Sequence, residues 1–355
     1  MSGTSLDGVD AVLADLSATA PKVLAHVHAG IDAALRAELL ALCHPGGNEI
    51  ERTALAANRL AELYAVAVGQ LLDGAGIANR EVRAIGCHGQ TVRHRPDRSY
   101  SVQIGNPARL AERSGIAVVA DFRSRDIAAG GQGAPLAPAF HAAVFSSRDE
   151  DRVVLNLGGI ANLTGLPRSG AVTGFDCGPG NCLLDLWAAT HLGKPFDADG
   201  AWAAGGRVIA TLLERMLAEP YFAASPPKST GRELFNQAWL ARHLGTGEEP
   251  RAVQATLVEL TATCVRDAIA RHWPGAERAI ACGGGACNRA LMKRLAELAA
   301  PVTVESSARH GVDPGHVEAI AFAWMAKQAI EGKPGSLPAV TGARGPRILG
   351  AIYRA

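Results

Sequence analysis

The chain has 355 residues, 48% of them apolar and 19% charged, which suits a folded protein with two cores of ordinary size rather than one small domain. Its 35 basic and 34 acidic residues leave a formal charge of +1, and only 5% are aromatic. That balance argues against a nucleic-acid-binding surface, so an anionic ligand must be met by a local site.

The opening MSGTSLDGVD lacks the basic and apolar regions of a signal peptide, and no apolar run is long enough to span a bilayer. The expectation is a cytoplasmic protein without membrane or nucleic-acid partners. Seven scattered cysteines, an odd number with no CxxC pair, read as free thiols of a reducing compartment. The two C-x4-C spacings, 177/182 and 282/287, have no histidine at ligand distance and do not read as zinc sites. Asn162 opens a glycosylation sequon that is idle in such a compartment.

In chain order, alternation predicts strands over 9–16 and 23–29, and helical spacing predicts helices over 31–43 and 49–72. A buried strand over 82–87 ends in a polar turn, His88-Gly89-Gln90-Thr91. A helix over 107–114 leads to a strand over 116–121. The Gly/Pro-rich stretch AAGGQGAPLAP (128–138) marks a lobe boundary, placed after residue 133. The pattern then restarts with strands over 152–157 and 160–166 around a Gly-Gly turn. A short strand follows to 176, then helices over 182–191 and 205–218, and a long helix over 251–272. A strand over 278–282, a Gly-rich loop, a strand over 302–305, a helix over 316–330 and a closing strand over 347–353 complete the chain. This is an α/β pattern of mixed sheets flanked by helices. Lobes over 1–133 and 134–334 are expected, the first completed by 335–355. Each half opens on a hairpin with a Gly-rich polar turn, which suggests two similar lobes facing across a cleft; two unrelated hairpins are the plainer alternative.

No G-x-x-x-x-G-K-[ST], G-x-G-x-x-G after a strand, H-E-x-x-H or G-x-S-x-G occurs, which removes the P-loop, dinucleotide, zincin and nucleophile-elbow readings. Glycine-rich turns ending in carboxylates remain. In residues 2–10, amides of Thr4, Ser5 and Leu6 can form a phosphate-cradling nest, with Gly3 and Gly8 allowing close approach. Asp7 there can hold a water of Mg²⁺. The turn Asn156-Leu157-Gly158-Gly159 can grip the same phosphates, although a decorated hairpin explains either turn alone. IACGGGACN (280–288) feeds three glycines from a strand into a helix, which suits close approach to a nucleotide. Asp176 in GFDCGPGN (174–181) ends a strand and can act as a general base; an Asx turn is the structural alternative. Arg123 in ADFRSRD (120–126) can hold a carboxylate or form an ion pair at the strand end.

Nine blocks, MSGTSLDGVD, CHGQTVRHRP, VVADFRSRDIAAGGQGAPLAPAFH, LNLGGIANLT, GFDCGPGN, PPKSTGRELFN, CGGGACN, VEAIAFAW and TGARGPRILGAIY, run the length of the chain. In that order they resemble the anhydro-N-acetylmuramic acid kinase family. The resemblance implies two actin-like lobes (RNase H-like) around a nucleotide cleft. It implies a reaction, with ATP and Mg²⁺ as cofactors, in which water opens the 1,6-anhydro bridge of anhydro-N-acetylmuramic acid. O6 is phosphorylated, giving N-acetylmuramic acid 6-phosphate and ADP, in peptidoglycan recycling. Carried over by position, Asp176 activates the water. Gly3, Thr4, Ser5, Leu6, Asp7, Gly8, Val9, Asp10, Asn156, Gly158, Gly159, Gly283, Gly284, Gly285 and Asn288 hold ATP, with Asp7 on Mg²⁺ through water. Arg123, Glu318, His88 and Gln90 hold the sugar. A homodimer is left open, as are two rivals: a plain amino-sugar kinase and an actin-like nucleotide switch. Cys177 and Cys182 depart from the family pattern as small hydrophobes. The family also has an apolar strand before MSGTSLDGVD. The strand over 9–16 is therefore expected to lack a partner on one side, its turn anchored at one end only, and the natural reading frame to start upstream.

Overall fold

In this computed structural model the described residues are 1–355 except Gly3, Thr4, Ser5, Asp7 and Pro227. Alternating side chains fold the first segment as β1 (Gly8–Asp15), antiparallel to β2 (Lys22–Gly30) from Gly8 opposite Gly30 to Asp15 opposite Lys22. Helices α1 (Ala33–Leu42) and α2 (Glu49–Ala75) follow. Asp32 caps α1 by accepting from Leu35 N–H at 2.9 Å, and α2 ends where Gly76 takes a left-handed conformation. The apolar stripe of α2 buries Leu60, Tyr64 and Leu71, with Leu35 and Leu39 in the same core.

The buried strand expected over 82–87 is short, β3 (Ile85–Gly86), because the chain turns away to pair elsewhere. The polar turn expected at 88–91 is instead the start of a hairpin, β4 (Gln90–Arg95) with β5 (Tyr100–Ile104). Its arginines are partly exposed while Val92 and Ile104 are buried. After α3 (Pro107–Ser114), β6 (Val118–Ala120) carries Asp121 and Arg123 on its exit, and α4 (Ser124–Ala128) and α5 (Ala137–Phe145) lead on.

The next segment builds one five-stranded mixed sheet. Its strands are β7 (Arg152–Leu157), β8 (Ile160–Leu166), β9 (Thr173–Pro179), β10 (Arg278–Cys282) and β11 (Thr303–Ser306), in the order β11-β10-β7-β8-β9. β10 runs parallel to β7 and β11; β8 is antiparallel to β7 and to β9. Residues 153–157 of β7 are buried without alternation, as a strand covered on both faces requires. Helices α6 (Cys182–Leu192), α7 (Ala210–Leu217), α8 (Pro220–Ala223), α9 (Gln237–His243), α10 (Pro250–His272) and α11 (Arg289–Ala299) surround it. The helix expected from 205 starts later, at Ala210, because Gly205 and Gly206 interrupt it. α10 is buried along most of its length, with Leu257, Leu260 and Val265 at 0–1% exposure; each such side chain contributes roughly 1.5–3 kcal/mol.

Helix α12 (Val317–Ile330) and strand β12 (Ala351–Tyr353) finish the chain, β12 antiparallel to β6 in a three-stranded sheet with β3. Contacts group Met1–Val144 with His316–Ala355 as a first unit and Phe145–Gly315 as a second. These bounds move 134–144 and α12 out of the lobe where the sequence reading put them. The reason is packing: Phe322 and Met325 of α12 share a core with Val119 and Phe122.

Among the described residues β1 is paired along its length on one edge only. On the other, Ser2 bridges Val9, and Met1 and Asp10 exchange two backbone hydrogen bonds of 2.7 and 2.9 Å. The rest of that edge borders a cavity of about 960 Å³ whose lining includes Ile85, Gly86 and Ala323. Among the described residues no helix is long and apolar enough to cross a membrane.

Candidate functional site

In the second unit β7, β9 and β10 all run in one direction, so their C-terminal ends share one edge of the sheet. Three Gly-rich turns meet there: Gly158-Gly159 after β7, Gly178-Pro179-Gly180-Asn181 around the end of β9, and residues 283–287 after β10. The first two are hydrogen-bonded to one another. Gly180 N–H donates to Gly159 O (3.0 Å), Asn181 N–H to Gly158 O (2.8 Å), and Asn181 Nδ2–H to Leu157 O (2.9 Å).

The glycines there have two different causes. Gly283 has φ +79°, and a Cβ on it would lie 2.4 Å from Asn156 Oδ1 and 2.9 Å from Leu157 C. A Cβ on Gly285 would meet Leu157 Cβ at 2.7 Å and Asn181 Oδ1 at 2.8 Å. These two are required by turn-to-turn packing within the protein. At Gly158, Gly159 and Gly284 the nearest atoms to such a Cβ lie at 3.5, 3.9 and 3.9 Å, so packing does not demand glycine. Close approach of a ligand's atoms is the remaining physical reason for a bare backbone there. Asn288 has a structural duty: its Oδ1 accepts from Leu291 N–H at 3.0 Å and caps α11.

Asp176 stands on β9, opposite Asn162 of β8, which is itself opposite Asn156 of β7. Directly paired residues point to the same side of a sheet, so the three side chains form a row. Asp176 Oδ2 accepts from the Thr230 N–H at 3.1 Å, and Tyr221 Oη–H donates to the Asp176 carbonyl at 2.6 Å. Burial pushes the Asp176 carboxyl up to about 6; the Thr230 amide opposes this and the Glu233 charge adds to it. A carboxylate of that value is ionised at neutral pH yet basic enough to take a proton, as a general base requires. Asn162 was visible in the sequence only as a sequon. The hairpin register places it in the row, and counting outward from the Gly-Gly turn would have found it.

In the first unit a buried polar cluster joins β4, β5 and the exit of β6. Arg123 Nη2–H donates to His88 Nε2 at 3.0 Å, and Gln103 Nε2 lies 2.9 Å from the same nitrogen. A guanidinium cannot accept, so His88 Nε2 is the acceptor and its proton resides on Nδ1. Burial, then the Arg123 charge, hold His88 well below the usual imidazole range, so it stays neutral. Burial lowers Arg123 to about 10, opposed by the charge of Glu318 at the start of α12. Arg123 Nη1–H also donates to Gly133 O at 2.7 Å. His88 Nδ1, Gln90 Oε1, Gln103 Oε1 and Arg123 Nε are buried with no hydrogen-bond partner among the described residues. Native buried polar groups are nearly always paired, so such a group is a place for a polar ligand. Gln103 was not among the expected residues; it reaches His88 only through the β4–β5 pairing.

Of the expected phosphate turn, Gly3, Thr4, Ser5 and Asp7 lie outside the described residues. Leu6 and Val9 are each 2% exposed, their side chains in the core, which leaves only main-chain atoms for a ligand. At Gly8 a Cβ would lie 2.9 Å from the Ala29 carbonyl oxygen and would displace the half-exposed His28 ring, so the hairpin itself favours glycine there. The Asp10 carboxylate is engaged by His28 Nδ1 at 2.9 Å and His26 Nε2 at 3.3 Å. Among the described residues no three His, Cys, Asp or Glu side chains are arranged to hold a metal.

The family model for anhydro-N-acetylmuramic acid kinase matches residues 1–355. Proteins bearing that name are similar over their whole length. The one from Cupriavidus pinatubonensis is 55% identical over 99% of this chain and 96% of its own. That of Xanthomonas campestris pv. campestris is 53% identical over 100% and 96%, and that of Thiobacillus denitrificans 55% over 100% and 96%. This chain belongs to the anhydro-N-acetylmuramic acid kinase family.

Proposed function

We propose that this protein is an ATP-dependent kinase of two actin-like lobes that acts on 1,6-anhydro-N-acetylmuramic acid. It opens the anhydro bridge with water and phosphorylates O6, giving N-acetylmuramic acid 6-phosphate and ADP. The observation that carries the reading is Asp176: a carboxyl held near 6, beside three Gly-rich turns with room at Gly158, Gly159 and Gly284.

The Asp176 carboxylate takes a proton from water as the water oxygen bonds to C1. The C1–O6 bond breaks, and O6 leaves as an alkoxide that bonds to the γ-phosphorus of ATP, from which ADP departs. One carboxylate thus drives both steps, because bridge opening delivers its nucleophile next to phosphorus. Phosphoryl transfer needs positioning and charge neutralisation more than covalent help, and main-chain amides of the Gly-rich turns can supply part of both. Mg²⁺ would travel on the ATP phosphates, with Asp7 holding one of its waters. Arg123, His88, Gln90 and Glu318 are assigned to the sugar. Of these, Arg123, His88 and Gln90, with Gln103, carry the orphaned buried atoms that its oxygens would satisfy. The protein works in the cytoplasm, in recycling of cell-wall sugar.

The test is incubation with 1,6-anhydro-N-acetylmuramic acid and MgATP, with products read by mass. A product heavier than the substrate by one water and one phosphoryl group supports the reading. A phosphorylated product that keeps the bridge, or turnover only with plain amino sugars, contradicts it.

A further inference from the structure

β9 is the outer strand of its sheet, and Tyr221, Lys228 and Thr230 lie along the edge it turns from β8. Three contacts there converge on Asp176. Tyr221 Oη–H donates to its carbonyl at 2.6 Å, and its N–H donates to Lys228 O at 3.4 Å. The Thr230 N–H donates to carboxylate Oδ2 at 3.1 Å, while Oδ1 accepts no hydrogen bond among the described residues. The first two are contacts any cover for an outer strand would make. The third is not a ladder bond; it fixes a carboxylate.

Lys228 anchors this segment. Its Nζ–H groups donate to Tyr221 O at 3.1 Å and Phe222 O at 3.3 Å, closing the end of α8. The ammonium also lies 4.8 Å from the Tyr221 ring centroid and 5.7 Å from that of Phe175. Phe222 is in turn stacked on buried Phe235, with ring centroids 5.6 Å apart, so the anchor reaches the core.

We propose that Lys228 and Thr230 are positioning residues for the base: the Thr230 main-chain N–H pins Oδ2, which leaves Oδ1 as the oxygen that takes water's proton, and Lys228 holds the segment in place. This rests on Asp176 being the base. The titratable groups around it are Cys177 on its own strand, Tyr221 on α8, Lys228 and Glu233 after it, and Cys264, Arg271 and His272 on α10; burial, then the Arg271 and Lys228 charges, hold His272 below the usual imidazole range. Burial raises the Cys177 thiol to about 12 and raises Tyr221 and Cys264, so none of these three titrates between pH 5 and 8.

The experiment is the pH profile of kcat for the whole protein. Thr230 is replaced by its α-hydroxy acid, a backbone ester without the N–H. Expected is an acid limb moved up by about one pH unit and kcat at pH 6 reduced about fivefold, approaching tenfold by pH 5, with the KM for ATP unchanged. Lys228→Met moves the limb in the same direction as the ester, Lys228→Arg restores it, and Glu233→Gln moves it down. An ester variant with a wild-type profile overturns the proposal; if the ester does not fold, a wild-type profile in Lys228→Met does so. Asp176→Asn run in parallel separates the two ideas. If it is inactive while the ester is unaffected, only the positioning proposal falls. If it turns over normally, the base assignment is wrong and the proposal falls with it.

Discussion

Replacing Asp176 by Asn should cut turnover by orders of magnitude and stabilise the fold at once. The side chain is largely buried, and its carboxyl is raised from an ordinary 3.8 to about 6, chiefly by burial. A raised carboxyl means that the folded protein keeps this proton to a higher pH than the unfolded chain. The cost of burying the charge is therefore fully present above pH 6, fades as pH falls from 6 towards 3.8, and is gone below that. Asn stands in for the neutral acid, and its amide oxygen can still accept from Thr230. The variant should then be more stable than wild type by up to about 3 kcal/mol at pH 8, and by only about 1 kcal/mol at pH 4.5. Turnover should fall ~10²–10⁴-fold, the contribution of a general base. Urea unfolding followed by tryptophan emission suits the measurement, since Trp187, Trp202, Trp239 and Trp273 all lie in the second unit. A stability difference that is absent, or equal at the two pH values, refutes the burial argument; near-normal turnover removes Asp176 from the mechanism.

The wild-type kcat should fall tenfold per pH unit below about 6, because the base must be ionised; a flat profile down to pH 5 would argue against it. Gly283→Ala and Gly284→Ala should part company. The first strains a φ of +79° and forces atoms 2.4 Å apart, lowering stability by ~2–4 kcal/mol, while the second has room and should melt as wild type but bind ATP at least tenfold more weakly. Equal melting of the two, by calorimetry, would contradict the division between packing glycines and ligand glycines. Arg123→Met removes one of two donors to His88 and a buried cation; the KM for the sugar should rise roughly tenfold or more with little change in that for ATP, and an unchanged sugar KM would take Arg123 out of the sugar site.

Much of the second unit was legible because short-range patterns decide it. Apolar runs around Gly158-Gly159 allow little but a hairpin, and α10 announces itself by length. The first unit was harder. The β4–β5 hairpin hides in a polar stretch whose arginines flank the turn, and the strand over 82–87 shrank once that hairpin claimed the chain. The placement of α12 depends on Phe322 meeting Val119 and Phe122 some two hundred residues earlier, which no local pattern records. In the candidate site, glycine spacing singled out these turns but could not say that Gly283 and Gly285 serve packing while Gly284 does not. That Asn288 also caps a helix could not be read from spacing, since capping and ligand contact call for the same short amide. Asn162, Gln103 and Thr230 were missed for one reason: each reaches its partner through strand register or a contact distant in sequence.

The central claim is that water, activated by Asp176, attacks C1 and that the freed O6 receives the phosphoryl group. Turnover in ¹⁸O-water with 1,6-anhydro-N-acetylmuramic acid and MgATP tests it most directly, with product sampled before anomeric exchange. The account predicts one heavy oxygen at C1 and none in the new phosphate ester. Heavy oxygen in the phosphate, or a phosphorylated product with the anhydro bridge intact, would contradict it.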